Sequence, residues 1–386
     1  MWEIDPSTQE ILRRFELSGR GWDVAHVPAR NALVVSDLGG DSVSVIDLAS
    51  GTETAVVPVS TSPAGLAVTE DGATVFAAAS NGDSIAVIDT TTWAITDSIR
   101  ATELDLLDQD GLPLQNSNIN SLWVSGDRLY ASRGSDNAVS VIDTTTLQWL
   151  GAIPTAEYPT GLQVSEAGKL VVAAWTGSGE QSGAVTVIDL DSLDLDLASE
   201  DVTDLYRSPL DRYPFACEDG FFPIPTQPDQ QSPIEHVVLV VKENKTLDCL
   251  FGDMGGLGLD VDPDFQRWPS ELTPNQRALI RQFNLSDNFY VDTRESDSGH
   301  IFLTATHLTH WVEWQWVETS RNSASLAWPI ADPAMPKVGN FFTHLHDRGK
   351  SIRIYGEIVG VSAQAADGTR MAQYTCLLYT SDAADE

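Results

Sequence analysis

Two short polar stretches carry residue types that could handle a phosphorus centre. The first, Lys242-Glu243-Asn244-Lys245-Thr246-Leu247-Asp248, follows directly on the apolar run His236 to Val241. A carboxylate and an amide oxygen at the carboxyl end of a strand suit a hard or borderline divalent cation. The second is Glu295-Ser296-Asp297-Ser298-Gly299-His300. A serine at a helix N-terminus has free backbone N–H groups and the positive end of the helix dipole beside it, which favours a phosphate dianion. With a metal lowering its pKa, such a hydroxyl is a competent nucleophile. Ser296 and Ser298 both qualify. Each stretch alone is an ordinary polar turn, and the pair in this order is the more specific signal.

Other candidates read as structural. Five of the seven histidines fall between His300 and His346. His307 and His310 are spaced i,i+3 beside Trp311, Trp314 and Trp316, as expected of a partly buried helix face. His344 and His346 are two apart and point in different directions on a helix. His300, next to the serine turn, is the histidine with a case for touching phosphate or metal. Asp260-Val261-Asp262-Pro263-Asp264 has the acidic spacing of a calcium loop, but Phe265 stands where that loop needs glycine. The Gly252 to Gly258 stretch lacks the Lys-Ser/Thr of a nucleotide-binding loop.

Composition bounds the function classes. The 386 residues are 42% hydrophobic, enough for substantial cores, and their longest apolar run is six residues, Leu170 to Trp175. A bilayer span needs roughly twenty, so no membrane span is expected. Twenty-two basic against 56 acidic residues give a formal charge of −34. Such a surface repels polyphosphate backbones, so nucleic acid is not an expected partner. The three cysteines have no zinc spacing, and Cys217 with Cys249 could form one disulfide in an exported protein.

The positioning elements fall into two grammars. In the first half, Ser44-Val45-Ile46-Asp47 recurs as Ala86-Val87-Ile88-Asp89, Ser140-Val141-Ile142-Asp143 and Thr186-Val187-Ile188-Asp189, with a degenerate copy at Trp2-Glu3-Ile4-Asp5. The Asp-to-Asp spacings are 42, 42, 54 and 46 residues, the long one holding an insertion around Glu103 to Asn118. Four short strands in about 42 residues is one propeller blade, which must stack on its neighbours to bury its faces. The recurring Asp is expected to accept backbone N–H bonds from the Thr/Ser turn that follows. These units resemble YVTN-type β-propeller repeats, through the V-x-V-I-D-T strand and turn and the Pro63-Ala64-Gly65-Leu66-Ala67-Val68 strand. The resemblance implies an all-β propeller of four to five blades over residues 1–204. The first copy opens in mid-blade, which predicts a truncated N-terminus and a leader peptide lost with it. The expected location is therefore extracellular or periplasmic.

Residues 205–233 carry six prolines and read as a linker. The grammar then turns to α/β. A buried parallel strand is expected at His236 to Val241 and another near Leu285 to Val291. Helices are expected from Pro274 to about Phe283 behind a Thr273 cap, from Gly299 to about Trp316, and from Val338 to Arg348. Ile352 to Tyr355 reads as a further strand. The stretch Ile234 to Thr246, with Leu272 to Gln276, Asp287 to Tyr290 and Tyr355-Gly356-Glu357, resembles the phosphoesterase branch of the alkaline phosphatase superfamily. Phospholipases C and acid phosphatases belong to it.

The resemblance implies that residues 234–375 are the N-terminal part of an α/β phosphoesterase domain. It implies that Glu243 and Asn244 bind a divalent cation (Zn, Mn, Ca or Fe), and that Ser296 is the nucleophile with Ser298 as runner-up. His300 would contact substrate, a phosphate ester. Lys245 replaces the usual Arg and so loses a bidentate donor. The family's remaining Asp and His ligands belong to a later part of the domain. Residues 376–386 resemble a translated adapter tail and are set apart from fold reasoning. The alternative reading is a binding or scaffold protein whose propeller face takes a protein or polymer and whose second domain is a non-catalytic remnant.

Overall fold

A computed structural model describes residues 1–101, 117–175, 183–206, 232–242, 245–287, 289, 296–306, 308–315 and 339–353. The chain divides into two compact units, Met1–Phe215 with Leu303–Glu386, and Ala216–Phe302.

The first unit is built from antiparallel sheets in sequence order. Strands β1 (Trp2–Ile4) and β2 (Ile11–Arg14) form a pair. Three four-stranded sheets follow. They are β3 (Gly21–Val27), β4 (Ala32–Asp37), β5 (Ser42–Asp47) and β6 (Thr52–Pro58), then β7 (Pro63–Val68), β8 (Thr74–Ala79), β9 (Ser84–Asp89) and β10 (Ala94–Arg100). The third comprises β11 (Ile119–Ser125), β12 (Arg128–Arg133), β13 (Ala138–Asp143) and β14 (Trp149–Pro154). Then come β15 (Pro159–Val164), β16 (Lys169–Ala174) and β17 (Ala184–Asp189), three strands among the described residues. Consecutive sheets touch through their first strands, β3 on β7, β7 on β11 and β11 on β15. These are blades of a β-propeller.

The stacking explains the near-continuous apolar strands. Within β8, Val75 and Ala77 pack toward β3, β4 and β5, while Phe76 and Ala78 pack toward β11 and β12. Both faces of an inner blade are covered, so the period-2 alternation of a half-wet sheet is lost. In the last blade the alternation returns. Ile188 packs inward, whereas Val185 and Val187 are 67% and 58% exposed.

The recurring Asp does what its turn chemistry predicts. Asp89 Oδ1 accepts the N–H groups of Thr91 and Thr92 at 2.9 and 2.8 Å, and Asp143 Oδ1 those of Thr145 and Thr146 at 2.9 and 2.8 Å. Asp5, Asp47 and Asp189 make the same kind of bond. Hydrogen bonds to the charged form hold all five carboxyls below their ordinary range, with a Lys169 hydrogen bond the largest cause at Asp189.

The repeat glycine has a positional cause. A Cβ on Gly65 would lie 2.7 Å from Ser121 Cα and 2.8 Å from the Asn120 carbonyl oxygen, so glycine lets β11 approach β7. Gly161, at the same place in β15, has nothing within 4 Å of its Cβ direction.

One element was not foreseen. Helix α1 (Leu195–Tyr206) follows β17 and packs on β14, with Val202 buried against Ala138 and Ala152. Ser199 Oγ accepts the Ala152 N–H at 2.9 Å, which covers the outer edge of that blade. The available signal was Asp194, whose carboxylate accepts the Leu197 N–H as a cap.

Beyond the blades the expected α/β layering is not seen among the described residues. The described residues after β17 contain helices and no strand. The run His236–Val241 is irregular and open, with Val237 81% and Val238 85% exposed. A parallel strand is buried only when neighbouring strands and crossover helices cover it, and no strand pairs with this one among the described residues. Leu285 to Asp287 and Ser351 to Arg353 are likewise irregular, and the rest of both expected strands lies outside the described residues.

The helices are closer to expectation. Helix α2 (Leu247–Phe251) is capped by Thr246. Helix α3 (Pro274–Gln282) has Pro274 at its start, but Thr273 does not cap it, because its Oγ1 accepts a hydrogen bond from Arg277 Nε at 2.9 Å instead. The long helix expected from Gly299 to Trp316 is two, α4 (Ser296–Ala305) and α5 (His310–Gln315). Between them Thr306 has φ +62°. Helix α6 (Phe341–Asp347) is capped by Asn340 and followed by Gly349 at φ +66°.

Candidate functional site

The residues expected to carry chemistry are unevenly placed. Glu243 and Asn244 lie outside the described residues. Ser296 is the first residue of α4 and His300 lies within that helix; the side chains of both are outside the description. The helix therefore starts before Gly299, and Ser298, buried to 8% exposure, sits in its first turn. No group of three or more His, Cys, Asp or Glu that could hold a metal occurs among the described residues.

Around the Glu243/Asn244 stretch, the polar side chains serve the backbone. Asp248 Oδ1 accepts the Asp262 N–H at 2.8 Å, and Asp262 Oδ1 accepts that of Asp264 at 2.9 Å. The acidic 260–264 segment thus spends one of its carboxylates on capping a 3-10 turn at Pro263–Phe265. Lys245 Nζ stands 5.3 Å from the centre of the Trp268 ring, a cation–π contact. Cys249 is a free, half-buried thiol, and Cys217 lies outside the described residues.

The residue holding this unit together was not singled out from sequence. Arg277 is 4% exposed and donates from Nη1 to Asp253 Oδ2 at 3.0 Å and from Nη2 to the Leu250 carbonyl at 2.8 Å. It also stacks over Phe251. The hydrogen bond from Arg277 keeps the Asp253 carboxyl below its ordinary range. A buried guanidinium in a helix interior, with carboxylates upstream, is the only sequence sign, and it is a weak one.

Among the described residues, an enclosed polar arrangement lies in the first unit, at the ends of the blades' first strands. Trp22 belongs to β3, Asn118 immediately precedes β11, and Tyr158 immediately precedes β15. Together they receive the segment from Leu308 to Trp311. Asn118 Nδ2 donates to the Leu308 carbonyl at 2.5 Å and to Ser135 Oγ at 2.8 Å. His310 is 2% exposed. Its ring lies parallel to Tyr158 with centroids 6.3 Å apart, and edge-on to Trp22 at 5.5 Å. Tyr158 Oη is 3.3 Å from His310 Nδ1.

Burial lowers the His310 pKa to about 3, so the ring is neutral. Burial, with Glu313 nearby, raises that of Tyr158 well above its ordinary value. Beside this seat, Arg133 is paired with Asp136, both buried, and Asn120 Nδ2 donates to the Pro159 carbonyl at 2.9 Å. His310 thus packs as a neutral buried ring, and His307 lies outside the described residues. His346 Nδ1 lies 3.3 Å from Asp347 at the surface.

No family model and no curated protein matches the chain. Among solved structures it is similar to the hydrazine synthase of Kuenenia stuttgartiensis, at 24% identity and TM-score 0.39 over 47% of this chain and 49% of that one. It is also similar to the dihydro-heme d1 dehydrogenase NirN in complex with DHE, at 16% identity and TM-score 0.37 over 48% and 39%. The chain spans about half of the first and two-fifths of the second. The blade assignment rests on the sheets themselves.

Proposed function

We propose that this protein is a metal-dependent hydrolase of phosphoric esters working through Ser296. The observation that carries the reading is the placement of Ser296 as the first residue of the ten-residue helix α4, within the Ser-x-x-Gly-His sequence that suggested it. The N-terminal turn of a helix carries the positive end of its dipole, which favours a phosphate dianion.

In the first step the Oγ–P bond forms as the ester P–O bond breaks. The hydroxyl proton passes to solvent, and the leaving alkoxide takes one up to depart as the alcohol. Water then attacks the phosphoserine, releasing phosphate and restoring the serine. Glu243 and Asn244 would hold the divalent cation, which when bound offsets the charge developing on phosphorus. His300 would contact the phosphoryl oxygens.

The two serines separate by experiment. In the full-length protein, with the later Asp and His ligands present, 4-nitrophenyl phosphate and added divalent metal, Ser296→Ala should remove the phosphoserine seen by mass spectrometry and lower kcat by several orders of magnitude. Its melting temperature should stay close to that of the parent. Ser298→Ala should cost about 1 kcal/mol of stability and leave most of the turnover. A dead Ser298→Ala with an active Ser296→Ala would overturn the assignment.

A second reading is a propeller whose face binds a protein or polymer while the other unit is a non-catalytic remnant. Absence of any phosphoserine in the metal-loaded protein would select it.

A further inference from the structure

We propose that the Leu308–Trp311 segment is an anchor by which the propeller fixes the C-terminal end of the helix that begins at Ser296, with Tyr158 and His310 as its positioning residues. The part of this statement that concerns chemistry rests on the serine reading above; the anchor itself does not.

Three observations carry it. First, the seat is specific. The segment's own backbone carbonyl at Leu308 is taken by a side-chain amide from the propeller, and Leu308, Thr309 and His310 are at most 4% exposed. A buried carbonyl left without a donor is costly, so Asn118 selects this backbone rather than merely tolerating it.

Second, the position of Tyr158 is costly for a tyrosine. The residue just before the first strand is left-handed in three successive blades, at Ser62 (φ +57°), Asn118 (φ +49°) and Tyr158 (φ +54°). Ser and Asn are small and polar, and Asn in particular enters this region readily, whereas a bulky ring there is an outlier. Backbone strain of this kind marks sites where another requirement dominates. Here the ring stacks on His310.

Third, the anchor is short-coupled to α4. The helix ends at Ala305, the chain turns through left-handed Thr306, and the buried segment begins at Leu308. The last residues of α4, from Leu303 onward, already cluster with the propeller unit, and Thr304 and Ala305 are buried. A helix held at its last turn within three residues of a buried contact has little freedom to slide or fray.

Tyr158→Asn tests this without emptying the core, because asparagine suits the left-handed backbone and removes the stacked ring from His310 while leaving Trp22 edge-on to it. In the full chain, amide exchange at Ile301–Ala305 and Thr309–Glu313 should accelerate at least tenfold, while β8, β9, β12 and β13 keep their protection. Tyr158→Phe, which keeps the stacking face, should stay within about threefold of the parent. In the metal-supplemented assay of the full-length protein, Tyr158→Asn should slow phosphorylation of Ser296 at least tenfold. The half-saturating concentration of 4-nitrophenyl phosphate should not change. Unchanged exchange at 301–313 in Tyr158→Asn overturns the anchor, as does equal acceleration throughout the blades. If the parent forms no phosphoserine, the serine reading falls and the exchange result alone decides the anchor.

Discussion

Apolar runs of nearly the same composition meet opposite fates in the two halves of this molecule. Val43-Ser44-Val45-Ile46 in β5 is buried on both faces, whereas Val237-Val238-Leu239-Val240 lies open. The difference is in where the neighbours come from. A blade strand finds its partners across turns of a few residues, and its next blade one repeat away, so each unit carries the means of burying itself. A parallel strand must recruit partners through crossovers of a dozen residues or more. Hydrophobicity marks the wish to be buried, and topology decides whether it is granted.

The sharpest way to break the comparison is to truncate one residue in each run. Ile46 is fully buried, packed with Phe15 and Val35, and Ile46→Ala should cost about 2–5 kcal/mol. Leu239 is 61% exposed, and Leu239→Ala should change stability by less than about 0.5 kcal/mol. Urea denaturation of both variants gives the answer. A large loss at Leu239 would mean that the run is packed in solution.

The same contrast exists inside the propeller. Gly65 and Gly161 occupy one position of the repeat, yet only Gly65 has a neighbouring blade's backbone across from it. Gly65→Ala should destabilise by about 1–3 kcal/mol, since β11 must move to admit a methyl group. Gly161→Ala should be neutral or stabilising by up to about 0.5–1 kcal/mol, because the strand is open there and alanine restricts the unfolded chain. Melting temperatures of the pair check this, and equal losses would show that a blade face covers Gly161 too.

These pairs also show what was legible from residues alone. The repeat of Val-x-Val-Ile-Asp located the blades because hairpin pairing is local, and the Asp role followed from the Thr/Ser turn beside it. Helix ends marked by local chemistry, such as Pro274 at the start of α3 and Gly349 after α6, were also readable. The open, irregular course of His236–Val241 was not, since the burial of such a run depends on distant partners. Nor was the His310 seat, which joins Trp22, Asn118 and Tyr158 to a segment some 150 residues beyond the nearest of them. The split of one expected helix at Thr306, just before that seat, leaves no mark in the 299–316 periodicity. Of the candidate chemistry, the helix start at Ser296 was approximately legible, and the cation pair Glu243 and Asn244 lies outside the described residues.

The smallest of the expected effects concerns pH, and it separates the two kinds of ionisable group that the folds bury and expose. His310 has a folded-state pKa near 3 against about 6.5 when unfolded. The unfolded chain therefore binds this proton first. The stability that the neutral ring contributes is complete above pH 6.5 and is lost progressively as pH falls toward 3. At pH 5.5 the loss is about 1.4 kcal/mol. The groups facing the ring are Tyr158, whose raised pKa keeps it neutral throughout, and Glu313, which lies close enough to act on Tyr158. The turn carboxylates of Asp5, Asp47, Asp89, Asp143 and Asp189 are shifted the same way from a lower starting value, near 3.8. They keep their contribution until the pH drops below about 4. A window from pH 7 to pH 5 thus separates His310 from these carboxylates. His310→Phe, which preserves an aromatic ring between Trp22 and Tyr158, should flatten the stability profile across that window. Asp89→Asn should leave it unchanged. If His310→Phe retains the full slope, the buried imidazole is not the group that titrates on unfolding.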